Sequence, residues 1–178
     1  MNKVHMPVFI TILFASAFAL LAGCSAESTS DTESAEQNEN VVEGVWYSIE
    51  DAQEKAEAEN KKIVIAVYTD WCSICRRMDR EVYSKDDIIG TFSDYYYPVR
   101  LNAESDKEVT FNGETYKESE LALAFGVTSY PTVVFVDETG NPFGSQPGFI
   151  EKDVYQDILV FVGSDAYKDQ SFEDYKEL

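Results

Sequence analysis

The chain has 178 residues, with 33 Asp and Glu against 14 Lys and Arg and a single His, for a formal net charge of −19. That balance excludes docking on nucleic acid and charge-driven attachment to an anionic bilayer. It reads as a solvated acidic surface or as a match to a basic partner.

Met1-Asn2-Lys3-Val4-His5 is a short positive start, and Met6 to Ala22 is almost wholly apolar. This is the layout of a signal peptide that is removed from the mature chain. As a retained membrane helix it would be short, since a bilayer span needs about 20 residues. Leu21-Ala22-Gly23-Cys24 resembles the bacterial lipobox. The resemblance implies cleavage after Gly23 and lipid on Cys24, which would hold the protein at a membrane surface without a spanning helix. An ordinary secreted protein with a stray Cys is the alternative. Both readings send the mature chain to an extracytoplasmic compartment, where disulfides form.

Cleavage also removes His5, the only histidine. Ser-His-Asp catalysis, Cys-His catalysis and His-based metal sites are then excluded, and with Cys24 lipidated the free thiols are Cys72 and Cys75. Residues 25–44 are rich in Ser, Thr, Glu and Asn, with Val41 and Val42 as the sizeable apolar side chains. Such a segment buries too little to order itself and reads as a flexible tether. The expected organisation is a signal peptide over 1–23, a lipidated Cys plus acidic linker over 24–44, and one domain over 45–178.

Within that domain, Val45-Trp46-Tyr47 predicts a short strand, and Ser48 with Asp51 a helix start. Ile49, Ala52 and Ala56 share one face of the helix that follows, which ends near Asn60. Ile63 to Tyr68 is apolar on both faces, as a central strand covered by helices would be. A helix opens after Cys72 and breaks near Ser84, and a second one buries Ile88, Ile89 and Phe92. Tyr96 to Leu101 predicts another strand. Val109 to Tyr116 predicts a hairpin around an Asn112-Gly113 type I′ turn. Ser119 to Phe125 is a short helix stopped by Gly126. Thr132 to Val136 is a strand turned back by Asp137-Glu138-Thr139-Gly140-Asn141, with Phe143 to Phe149 as the last strand. Lys152 to Val162 and a short helix capped by Ser171, carrying Phe172 and Tyr175, close the chain. The order predicts a mixed sheet between helices, an α/β class.

Trp71-Cys72-Ser73-Ile74-Cys75 lies where the strand ending at Tyr68 hands over to a helix. Placed at an exposed helix start, the Cys72 thiol meets unpaired backbone N–H groups and the positive end of the helix dipole. That favours the thiolate, the nucleophile of disulfide exchange. Cys75, one turn further in, is placed to attack the mixed disulfide and release product. A half-built zinc site or two structural thiols are the alternatives; zinc takes four Cys or His ligands and the chain does not supply them.

With Gly126-Val127-Thr128-Ser129-Tyr130-Pro131-Thr132 leading into a Val-rich strand, the chain resembles the thioredoxin superfamily over residues 45–178. Phe111-Asn112-Gly113-Glu114, Pro147-Gly148-Phe149, Ala166-Tyr167 and Ser171-Phe172-Glu173-Asp174-Tyr175 are similar to the periplasmic SoxW-like thioredoxins and, more loosely, to the C-terminal domain of DsbD. The resemblance implies a three-layer α/β/α fold with a central mixed sheet. It implies that Cys72 is the nucleophile and Cys75 the resolving thiol. It also implies a cis peptide before Pro131, with Trp71, Tyr130 and Pro131 forming a platform for the substrate backbone.

This chain departs from thioredoxins in three places, Arg100 among them. Ser73-Ile74 stands between the cysteines, and Ala66 stands where thioredoxins bury an acidic residue thought to take the resolving thiol's proton. Asp70, Arg76 and Arg100 are candidate modulators of the pair, Arg100 at a position usually held by a lysine.

The function so implied is that of a membrane-anchored extracytoplasmic thiol–disulfide oxidoreductase, a reductant rather than an oxidant, acting on disulfides of envelope proteins. It would use no metal or organic cofactor and would draw electrons from a membrane thiol donor of the DsbD kind. Two other readings remain: a non-catalytic protein-binding module, and a copper-handling dithiol protein. Against copper, Met78 is the only Met left after cleavage.

Overall fold

The computed structural model describes residues 45–177. The lipobox Cys24, the signal peptide and the linker expected over 24–44 lie outside the described residues. Ser48 Oγ accepts from the Asp51 N–H at 3.0 Å and opens helix α1, Ile49–Glu59. Asn60 closes it in a left-handed conformation. Strand β1 is Lys62–Tyr68. Helix α2, Ser73–Met78, runs straight into a π-helical turn, Asp79–Tyr83, in which the Ser84 N–H reaches Asp79 O. Helix α3 is Asp86–Tyr95 and β2 is Tyr96–Asn102. The hairpin is β3, Glu108–Phe111, with β4, Glu114–Lys117. Then come α4 (Glu118–Ala124), β5 (Thr132–Val136), β6 (Pro142–Pro147) and α5 (Lys152–Gly163). A 3-10 turn at Ala166–Lys168 precedes α6, Phe172–Lys176, which Ser171 caps.

The sheet has the order β2-β1-β5-β6, with β1 parallel to β2 and antiparallel to β5, and β5 antiparallel to β6. It is the mixed sheet of a thioredoxin-type α/β fold. Successive side chains of a strand point to opposite faces, so β1 splits between two cores. Ile63, Ile65 and Val67 pack with α1, the hairpin and α4. Val64 and Ala66 pack with Met78, Val82, Tyr83, Phe92, Tyr155 and Leu159 from the opposite layer. Burying a Leu, Ile, Val or Phe side chain stabilises by roughly 1.5–3 kcal/mol before entropy is counted. This two-sided burial is why β1 reads as a continuous apolar run.

The hairpin forms a separate two-stranded sheet. Asn112 and Gly113 take φ of 52° and 80°, the left-handed pair that a type I′ turn requires. Side chains of α1 hold it in place: Thr110 N–H donates to Glu50 Oε1 and Asn112 N–H to Gln53 Oε1.

Three expectations change. The strand at Val45–Tyr47 is a single bridge from Tyr47 to Val99. Ser48 caps α1 at once and leaves no length for pairing. The last strand stops at Pro147: the Gly148 N–H still reaches Pro131 O at 2.8 Å, the next position in the β5–β6 register, but Pro131 has no N–H to return the bond. Ile89 is only half-buried, and Thr91 takes the inner position, bonded to Asp87 O and to Gln156 Nε2 of α5.

Candidate active site

Strand β1 delivers the chain to Thr69, whose carbonyl accepts the Cys72 N–H at 3.1 Å. Cys72 is the N-cap of α2, with an extended backbone, and its sulfur accepts the Cys75 N–H at 3.0 Å. An N-cap side chain normally satisfies one of the orphan donors of the first turn with oxygen; here sulfur does so. Cys72 and Cys75 form a disulfide with a Cα–Cα distance of 5.3 Å. The expectation of an exposed Cys72 is corrected, since both cysteines are only 4% accessible. The capping geometry that holds Cys72 Sγ over the Cys75 N–H turns it into the loop instead of out to solvent.

Trp71 stands out from the surface at 65% exposure, and Ile74 is exposed beside it. The Trp71 indole N–H donates to both carboxylate oxygens of Glu104, at 2.9 Å each. Its ring meets Tyr130 edge-on, with centroids 6.2 Å apart. Trp71 thereby links the Cys loop to the loop before β5. The Tyr130–Pro131 peptide there is cis.

Asp70 is exposed, and its Oδ1 accepts from Asn102 Nδ2 at 3.0 Å. Arg76 Nη1 donates to the Asp70 carbonyl at 2.7 Å and clips the loop to the helix. Arg100 sits beneath the site. Its Nη2 lies 3.1 Å from Asp79 Oδ2, and its guanidinium covers the Tyr68 ring at 4.4 Å and the Trp46 ring at 5.5 Å. Tyr83 completes this cluster. Burial pushes its phenol well above the ordinary range, the Asp79 charge adds to that, and Arg100 opposes it.

Cys72, Cys75, Trp71, Tyr130, Asp70 and Arg76 are thus brought together by direct or chained contacts, Pro131 follows Tyr130 directly, and Arg100 is joined through Asp79. Cys24 lies outside the described residues. Glu104 and Asp79 went unnoticed in the sequence. Nothing local marks Glu104, whereas Asp79 carries a signal: it falls one helical turn after Cys75. Among the described residues no group of three His, Cys, Asp or Glu is placed to hold a metal ion, and no helix is long and apolar enough to cross a membrane.

The family model of the thioredoxin-like domain matches residues 49–163. The chain belongs to the thioredoxin-like family. Among curated relatives it is 31% identical over 111 residues to the chloroplastic thioredoxin-like protein HCF164 of Oryza sativa subsp. japonica, a match covering 62% of this chain and 37% of that one. It is 27% identical over 115 residues to the thiol:disulfide interchange protein DsbD of Actinobacillus pleuropneumoniae, covering 63% of this chain and 18% of that protein. The chain therefore spans well under half the length of these relatives. A thioredoxin-fold protein from Helicobacter pylori superposes with a TM-score of 0.55 at 23% identity, over 67% of this chain and 80% of that one, and shares the fold. In this thioredoxin-like chain the Cys72–Cys75 disulfide closes the turn between β1 and α2.

Proposed function

We propose that this protein is a lipid-anchored extracytoplasmic thiol–disulfide oxidoreductase that reduces disulfides of envelope proteins. The observation that carries the reading is Cys72 at the N-cap of α2, its sulfur accepting the Cys75 N–H at 3.0 Å. In the reduced protein the same N–H and the helix N-terminus favour the Cys72 thiolate over the thiol. Cys72 attacks a substrate disulfide, forms a mixed disulfide and expels one substrate thiolate. Cys75 then attacks the Cys72 sulfur, closes the Cys72–Cys75 disulfide and expels the second thiolate.

Trp71, Tyr130 and Pro131 form the platform on which an extended substrate segment lies, with exposed Ile74 as an apolar rim. The likeness to a thiol:disulfide interchange protein supports disulfide exchange; the reductive direction and a membrane thiol donor of the DsbD kind belong to the proposal and rest on the family resemblance of the sequence. Anchoring through Cys24, at the envelope membrane and facing away from the cytoplasm, is supported by Leu21-Ala22-Gly23-Cys24 after the apolar run.

The test is trapping in cells. Cys75→Ser accumulates mixed disulfides with envelope proteins, because the resolving attack is gone, and Cys72→Ser accumulates none. Should neither variant capture a partner covalently while the wild type still binds envelope proteins, the protein is a binding module and the oxidoreductase reading is wrong.

A further inference from the structure

Cys75 has to lose a proton before it can attack, and it is 4% accessible. A buried thiol is held in its neutral form, so its ionisation calls for an acceptor close by. No described residue is a histidine. Asp70, the acidic residue nearest the pair in sequence, is exposed and bonded to Asn102. The strand beneath the pair offers Ala66, which is buried and lies opposite Arg100 of β2 in register.

Asp79 meets the requirement. Its backbone N–H bonds Cys75 O, so it sits one α-helical turn beyond Cys75, where α2 passes into the π-helical turn. Side chains four apart on a helix are neighbours, with Cβ atoms about 5–6 Å apart. Its side chain is 16% exposed and is held from the sheet side by Arg100. The groups around it come from several elements. Arg76 and Tyr83 lie on its own segment, and Arg100 is on β2. Tyr68 on β1 and Trp46 before α1 lie against the Arg100 guanidinium. Tyr155 on α5 packs on Tyr83. Arg100 Nη1 and Tyr83 Oη are buried without hydrogen-bond partners, so the cluster has polar capacity to seat a bridging water.

We propose that Asp79 accepts the Cys75 proton in the resolving step and that Arg100 is the positioning residue that aims it. The inference rests on the reading of Cys72 and Cys75 as the redox pair. Once Cys72 is joined to a substrate sulfur, the Cys75 S–H proton passes to the Asp79 carboxylate, directly or over one water. The Cys75 thiolate forms a bond to the Cys72 sulfur and breaks the Cys72–substrate bond. The departing substrate thiolate leaves with the electron pair, and Asp79 returns the proton to it or to solvent. The Cys pair is oxidised by two electrons and the substrate disulfide is reduced by two.

The experiment mixes the reduced full chain with one equivalent of the aryl disulfide of thionitrobenzoate and follows release of the coloured thiolate in stopped flow. The first phase reports attack by Cys72 and the second attack by Cys75. Asp79→Asn slows the second phase near neutral pH by about tenfold or more, leaves the first phase within about twofold, and converges on the wild type only at pH well above the ~8.5 of a free thiol, where the buried Cys75 ionises unaided. Asp79→Glu recovers part of the lost rate. An unchanged second phase in Asp79→Asn overturns the proposal. Equal slowing of both phases at every pH also overturns it, because Asp79 is then a structural residue. Absence of the first phase in the wild type sinks the redox reading itself and is separate from both.

Discussion

Arg100 in the sheet and Asp79 in the turn after the Cys helix form an ion pair, Nη2 to Oδ2 at 3.1 Å, with side chains 17% and 16% exposed. The pair ties β2 to the segment that carries Cys75. Beside it in the sheet, Ala66 on β1 supplies neither charge nor bulk. The first prediction follows from that neighbour. In an Asp79→Asn background, Ala66→Asp places a carboxylate next to Arg100 and restores part of the second-phase rate with the aryl disulfide. In the wild-type background the same change puts two carboxylates on one guanidinium and lowers thermal stability. Rates and melting temperatures of the four proteins decide it. A double variant no faster than Asp79→Asn removes Ala66 as a usable position for the acceptor.

Both cysteines are buried in the disulfide form, so their reactivities separate on reduction through local electrostatics. Cys72, whose sulfur receives the Cys75 N–H, alkylates faster than Cys75 at neutral pH. Mass spectrometry of the reduced chain after brief iodoacetamide treatment measures this. Equal labelling, or a Cys72 pKa no lower than about 8.5, contradicts the assignment of Cys72 as nucleophile.

Glu104 holds the Trp71 indole from outside the motif. The bond is exposed, so Glu104→Ala changes stability by no more than about 1 kcal/mol. Freed from it, Trp71 moves, and the platform it shares with Tyr130 loosens. KM for a protein disulfide then rises while the rate with the small aryl disulfide stays put. Equal kinetics on both substrates would show that the bond does not position the indole.

Asp137 organises the turn between β5 and β6. Burial alone would raise its carboxyl, but the N–H groups of Asn141 and Thr139 and their side chains outweigh that and lower it. A carboxyl lowered in the folded state stabilises fully above its ordinary range and loses that contribution as pH falls through the lowered value. Asp137→Ala costs about 1–2 kcal/mol at neutral pH and flattens the acid limb of the stability profile. Urea unfolding across pH 2–7, roughly the span of carboxyl titration, reads both effects.

Cys24→Ser releases the protein from the membrane fraction, or leaves an uncleaved precursor, while the reduced domain still reacts with the aryl disulfide. Membrane retention with normal processing after Gly23 would falsify the lipobox reading.

Much of the fold was legible because it is written in local chemistry. Ser48 with Asp51 marks the start of α1, Asn112-Gly113 marks the hairpin turn, and the apolar run to Tyr68 marks a strand covered on both faces. Cys72 and Cys75 were legible for the same reason, since a strand-to-helix boundary can be read from neighbouring residues. The π-helical turn at Asp79–Tyr83 was not, because it widens a helix whose apolar spacing hardly changes.

By itself the sequence determined the Cys72–Cys75 pair, most of the elements from α1 onward and the absence of an acid at Ala66. Tertiary structure alone decided what surrounds that pair. Glu104 reaches Trp71 across 33 positions and Arg100 reaches Asp79 across 21. Such partners meet only because parallel pairing of β1 with β2 stacks Ala66 on Arg100 and lays the Cys helix over them. Register between strands is set by burial of whole faces, and no local residue pattern carries that information.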